Sequence, residues 1–140
     1  PAFEFSNIEL PQAESGLLRI GELPEPLSVR SWAEKLNTLG MATMLFTLPK
    51  KIVRTVCVCG GSAMEFWPQA QAAGADIFVT GDIKYHSVKD AADSNLAVIA
   101  LGHQDSELPI LPVLQTALQS LLPTITIVQA KESRVLYALT

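Results

Sequence analysis

Apolar, β-branched runs alternate along this chain with stretches of helical periodicity, and that alternation constrains the fold more than any other feature. The runs are Ile52 to Cys59, Asp76 to Thr80 and Leu96 to Leu101. Each reads as a buried strand, and each leads into a loop that carries glycine. After the first run, Ala63, Phe66, Trp67, Ala70 and Ala73 fall on one helical stripe, which predicts a helix from Ser62 to about Ala73, kinked at Pro68 and closed by Gly74. After the second, a helix is expected over 83–93, with Val88, Ala91 and Ala92 inward and Asn95 ending it. After the third, a helix is expected over 108–122, with Pro109 in its first turn and Leu111, Leu114, Leu118 and Leu121 or Leu122 inward. Strand followed by helix, repeated, is the pattern of βαβ crossovers. The fold class is therefore α/β, with three layers and a largely parallel or mixed sheet carrying helices on both faces.

The flanks are less regular. Residues 1–27 hold four prolines and two glycines and read as an extended lead-in arm, with a short strand near Phe3 to Ile8. Ser28 offers an N-cap, Val29, Trp32, Ala33, Leu36 and Leu39 recur at helical spacing, and Gly40 supplies a stop. Met41 to Leu48 reads as a strand, and Thr124 to Val128 with Arg134 to Leu139 as a terminal hairpin. A chain of 140 residues suits one core, so 28–140 is taken as a single α/β domain. Apolar residues make up 49% and charged residues 17%, which excludes a disordered chain. The net charge of −4 is spread without long runs of one sign, which argues against nucleic acid and anionic membrane as partners. No apolar run approaches the roughly 20 residues of a membrane helix, and the opening Pro1-Ala2-Phe3-Glu4-Phe5 lacks the basic start of a secretory signal. A cytoplasmic location is the resulting expectation. Cys57 and Cys59, the only cysteines, are expected on opposite faces of one strand, unbridged, as two small apolar residues.

In a sheet of this kind ligands sit outside the carboxyl ends of the strands, so the chemistry is sought in the loops that follow them. Gly60-Gly61-Ser62 joins a strand to a helix, where backbone N–H groups and a helix N-terminus can hold a phosphate. It is neither a Walker loop nor a dinucleotide fingerprint, and a tight turn with Ser62 as N-cap explains the same residues. Asp82 and His86 stand four apart at a helix start, so the carboxylate can orient the imidazole or both can reach a ligand, or Asp82 can simply cap the helix. His103 and Glu107 are also four apart, directly after a strand, and their nitrogen and oxygen can converge on zinc, manganese or iron. A bare H-x-x-x-E is equally well a surface histidine beside a capping Glu.

Taken in order, Cys59-Gly60-Gly61-Ser62, then Gly74-Ala75-Asp76-Ile77-Phe78-Val79-Thr80-Gly81-Asp82-Ile83-Lys84-Tyr85-His86, then Gly102-His103 with Ser106-Glu107, resemble the C-terminal half of the YbgI/NIF-three-like family, often labelled GTP cyclohydrolase type 2 homologues. Gly16 to Pro26 is similar to the family's link into that half. The resemblance implies a dinuclear site for two divalent ions, with His103 a terminal ligand and Glu107 bridging. It implies that a His-His pair and an Asp complete the site from the N-terminal half, whereas the two histidines here are His86 and His103. The chain is accordingly expected to be a fragment or separately built C-terminal domain, holding a half-site with weak metal affinity. Gln104 and Asp105 depart from the family pattern, in which an aromatic residue follows the histidine, and this bears on the pocket wall. Full-length members resemble ring-shaped hexamers, which implies a homo-oligomer. The implied activity is metal-assisted hydrolysis of a nucleotide-like phosphoester or purine ring, with a non-catalytic interaction module as the alternative.

Overall fold

A computed structural model describes residues 5–7, 16–41 and 45–130. Its sheet has six strands: β1 (Phe5–Asn7), β2 (Arg19–Ser28), β3 (Leu45–Phe46), β4 (Ile52–Cys59), β5 (Ile77–Thr80) and β6 (Ala97–Ala100). Their order across the sheet is β1-β2-β4-β5-β6-β3. The central β4, β5 and β6 are parallel, while β1, β2 and β3 pair antiparallel at the flanks. The helices are α1 (Val29–Thr38), α2 (Trp67–Ala72), α3 (Tyr85–Asp93), α4 (His103–Glu107) and α5 (Ile110–Leu121).

The parallel strands show why their sequences lack polar alternation. Ile77 and Val79 of β5, with Ala97 and Ile99 of β6, pack under Val29, Trp32, Ala33 and Leu36 of α1. Phe78 and Val98 point the other way, into a second core with Met64, Ala70 and Ala91. Both sheet faces are covered, so every position of these short strands is buried. Three layers and a mixed sheet result, as the alternation predicts. The pairing of β2 with β4 is irregular between Glu22 and Leu27, and there Val53 and Val56 of β4, three apart, join the same core. At the irregularity the Asp76 carboxylate accepts the N–H groups of Arg54 and Thr55 at 2.9 and 3.0 Å, satisfying two donors that the ladder leaves over.

Several expectations are confirmed in detail. Ser28 caps α1 by accepting the Ser31 N–H at 3.1 Å, and Gly40, at φ +85°, ends the turn that follows. Asn95, at φ +62°, follows α3. Others are corrected. The stretch read as an arm is extended, but from Arg19 to Ser28 it is a full sheet member pairing with β4. Pro24 and Pro26 hid this, because they lie where the register between the two strands is interrupted. The helix predicted from Ser62 begins instead as a 3-10 turn at Met64–Phe66, and α2 starts at Trp67, which places Pro68 in its first turn rather than at a kink. The strand expected over 41–48 is the two-residue β3, and residues 42–44 lie outside the described residues. Thr124 to Val128 forms no strand, and its expected partner at 134–139 lies outside the described residues.

Contacts gather into two units, Pro1–Glu107 and Leu108–Thr140. Helix α5 belongs to the second, and its Leu114, Leu118 and Leu121 are exposed rather than inward. Periodicity reported an apolar stripe without saying what covers it. Among the described residues no helix is long and apolar enough to cross a membrane.

Cys57 and Cys59 are free and share one face of β4, toward the core that holds Phe78. This corrects the expectation of opposite faces, since residues two apart on a strand point the same way. Burial pushes the Cys57 thiol up to about 12 and raises Cys59 as well. Without denaturant at pH 8, Cys57 should therefore resist iodoacetamide while reacting fully once unfolded; equal rates in both conditions would show that β4 is not packed this way. Phe78 is fully buried between β4 and β6. Phe78→Ala should cost about 3–5 kcal/mol in a urea melt.

Candidate functional site

The site is built by strand register. Cys59 pairs with Thr80, and Thr80 with Ala100, so three strands end side by side and their loops emerge together. The loops are then tied by their own backbones. The Gly61 carbonyl accepts the N–H groups of Gly81 and Asp82, each at 3.0 Å, and the Thr80 hydroxyl at 3.3 Å. Gly102 N–H donates to the Gly81 carbonyl at 3.1 Å. Gly61 N–H donates to Ser106 Oγ at 2.9 Å, and that hydroxyl donates to the His103 carbonyl at 2.7 Å. Ser106 thus latches the first loop to the third.

Close approach explains the glycines. A Cβ on Gly81 would lie 2.6 Å from the Gly61 carbonyl oxygen, 2.6 Å from Ser106 Oγ and 3.0 Å from His103 Cα. A Cβ on Gly61, which also has φ +67°, would lie 2.8 Å from Glu107 Oε1. The Gly60-Gly61 turn is thus a strap under the His103 loop, with the Gly61 N–H already committed to Ser106. Ser62 is exposed and caps nothing, since the 3-10 turn has Ala63 at its cap position without a side-chain bond. Any anion held here would fall to Gly60 and Ser62.

Of the candidate residues, the structure gathers Asp82, His103 and Glu107. Asp82 Oδ2 lies 2.7 Å from His103 Nδ1, and Glu107 Oε1 lies 3.3 Å from His103 Nε2. The imidazole stands between two carboxylates. Asp82 serves neither expected role: Lys84, not Asp82, is at the cap of α3, with no side-chain bond, and its partner is His103, not His86. The His86 ring instead stands edge-on to Tyr85, with centroids 5.5 Å apart. The pairing of Asp82 with His103 was missed because it joins residues 21 apart, and only the ending of β5 beside β6 brings them together. The hydrogen bond that Asp82 accepts, and the Glu107 charge after it, raise the His103 pKa above the ordinary histidine value.

The donors fit a divalent ion in part. Nitrogen and oxygen ligands about 2.1 Å from one tetrahedral ion stand about 3.4 Å apart, and His103 Nε2 to Glu107 Oε1 is 3.3 Å. Asp82 engages the other ring nitrogen, so it backs the histidine rather than joining a ligand set. Consistently, among the described residues no group of three or more His, Cys, Asp or Glu is placed to hold a metal ion. A cavity of about 320 Å³ lies among Phe46, Thr47, Ile83, Tyr85, Val88 and Val98 with Leu45, and none of the candidate residues lines it.

The sequence and the fold both match a known family. The chain belongs to the Duf34/NIF3 (NGG1p interacting factor 3) family, whose profile matches residues 2–134, as the ordered motifs imply. A Listeria innocua protein named GTP cyclohydrolase 1 type 2 homolog is 37% identical over 105 residues, covering 74% of this chain and 28% of that protein. A Streptomyces coelicolor protein of the same name is 36% identical over 104 residues, covering 71% and 36%. The crystal structure of a Bacillus cereus protein related to NIF3 superposes with a TM-score of 0.70 at 30% identity, covering 77% of this chain and 30% of that one. The chain thus spans well under half the length of these relatives.

The strap makes a stability prediction. Gly74 has φ +83° and open space where a Cβ would go, so Gly74→Ala should cost about 1–2 kcal/mol from backbone conformation alone. Gly81 meets backbone and hydroxyl oxygens at 2.6 Å. Gly81→Ala should therefore cost about 3 kcal/mol or more in the same melt, through overpacking.

Proposed function

We propose that this chain supplies half of a dinuclear divalent-metal site, with His103 as a terminal ligand and Glu107 as a bridging one. The observation that carries the reading is the pair His103 Nε2 and Glu107 Oε1, 3.3 Å apart. In a neutral ring whose proton faces Asp82, Nε2 and the carboxylate oxygen are both electron-pair donors, an arrangement that a cation between them satisfies. Two carboxylates flank one imidazole, so the local field favours cations, and the side chains of His103 and Glu107 are about half exposed and open to a ligand.

The wider activity we propose follows that of the relatives named GTP cyclohydrolase 1 type 2 homologs. It is metal-assisted hydrolysis of a nucleotide-like phosphoester or purine ring. His103 and Glu107 would help to hold two divalent ions of zinc, manganese or iron, which would supply polarisation of the substrate and a lowered pKa for water. In this chain His103 and Glu107 bind and Asp82 orients. His86, exposed on the first turn of α3, is the group available to move a proton at its ring nitrogen, and Gly60 and Ser62 are those available to a phosphate. A second reading, self-association, is favoured by the exposed Val113, Leu114, Leu118 and Leu121 of α5; light scattering that stays monomeric at all concentrations would count against it.

Manganese provides the test, since its paramagnetism reports weak binding. Added to the protein, Mn²⁺ should broaden the amide signals of Gly61 and 102–107 before any others, and His103→Ala should abolish that preference. Broadening that is unchanged in the variant would remove His103 from the site.

A further inference from the structure

We infer that Asp82 is a positioning residue: it holds the His103 imidazole in the tautomer that carries its proton on Nδ1 and presents the Nε2 lone pair to Glu107. The inference rests on the metal-site reading for its purpose, though not for its geometry. Asp82 Oδ2 lies 2.7 Å from His103 Nδ1. An ionised carboxylate can only accept, so in the neutral ring the shared proton belongs to Nδ1 and Nε2 is left bare.

Helix capping does not explain the carboxylate, because α3 receives no side-chain bond at its cap. The backbone of Asp82 is fixed by its own N–H on the Gly61 carbonyl, 3.0 Å away. The root of His103 is fixed too, by Ser106 Oγ on its carbonyl and by Gly81, where even a Cβ would come within 3.0 Å of His103 Cα. With both roots held, the choice of ring nitrogen is what the Asp82 side chain decides. A free histidine favours the opposite choice, so the position of the proton is a signature of this contact.

The test uses the whole chain with ¹⁵N-labelled histidine, at a pH high enough to leave the ring neutral. Long-range proton–nitrogen spectra distinguish the two tautomers. His86, the only other histidine, serves as an internal reference. His103 should carry its proton on Nδ1 in the wild type. It should move to Nε2 in Asp82→Ala and stay on Nδ1 in Asp82→Asn, whose amide oxygen still accepts. Asp82 is half exposed, so both variants should keep the wild-type circular dichroism spectrum. A wild-type proton on Nε2, or an alanine variant indistinguishable from wild type, would overturn the inference. Zinc competition on the same proteins separates the two proposals. Asp82→Ala should weaken binding by about 10- to 100-fold, with Asp82→Asn nearer the wild type. If the tautomer moves while zinc affinity stays constant, the positioning role stands and the metal-site reading fails; zinc bound through His103 with an unmoved tautomer has the reverse meaning.

Discussion

The parallel register that sets Cys59, Thr80 and Ala100 side by side is the constraint on which the remaining structure of the site depends. It brings three loops to one edge, where the Gly61 carbonyl takes two N–H groups and a hydroxyl from the second loop. Ser106 then joins the third loop to the first. Side chains from distant parts of the sequence meet because backbones meet first. The register is in turn secured by burial on both faces of β5 and β6, which leaves these strands no face to turn to water.

This division of labour explains what could be read from the sequence. The three parallel strands and α1 and α3 were legible, since periodicity and caps such as Ser28 act over a few residues. Strand β2 was not, because Pro24 and Pro26 mark an irregularity in a pairing whose existence only β4 reveals. The helix after Gly61 was legible in kind, but its start was displaced to Trp67 by a 3-10 turn. The stripe on α5 exists as a pattern, but Leu114, Leu118 and Leu121 are exposed, because periodicity carries no information on what covers a helix.

The candidate site shows the same limit. His103 and Glu107 are neighbours within one short helix, so spacing found them. Asp82 was noticed for its spacing to His86, yet its partner is His103, across two strands. The role of Gly61 and Gly81 was hidden for a related reason: a glycine that answers to a neighbouring loop carries no local sign of what approaches it. The ordered motifs, by contrast, led to the family, because a set of loops in sequence order is itself a record of tertiary structure.

The crowding around Gly81 has a consequence for how this protein tolerates change. Position 81 contributes no ligand, no charge and no proton, yet it has no room for a methyl group. A screen scored on activity alone would place it beside the ligands, and a designer reading that screen would search it for chemistry. What the position holds is clearance: the separation at which one loop can pass beneath another. Selection acting there would be on volume, and would preserve the glycine whatever substrate the surrounding residues came to serve.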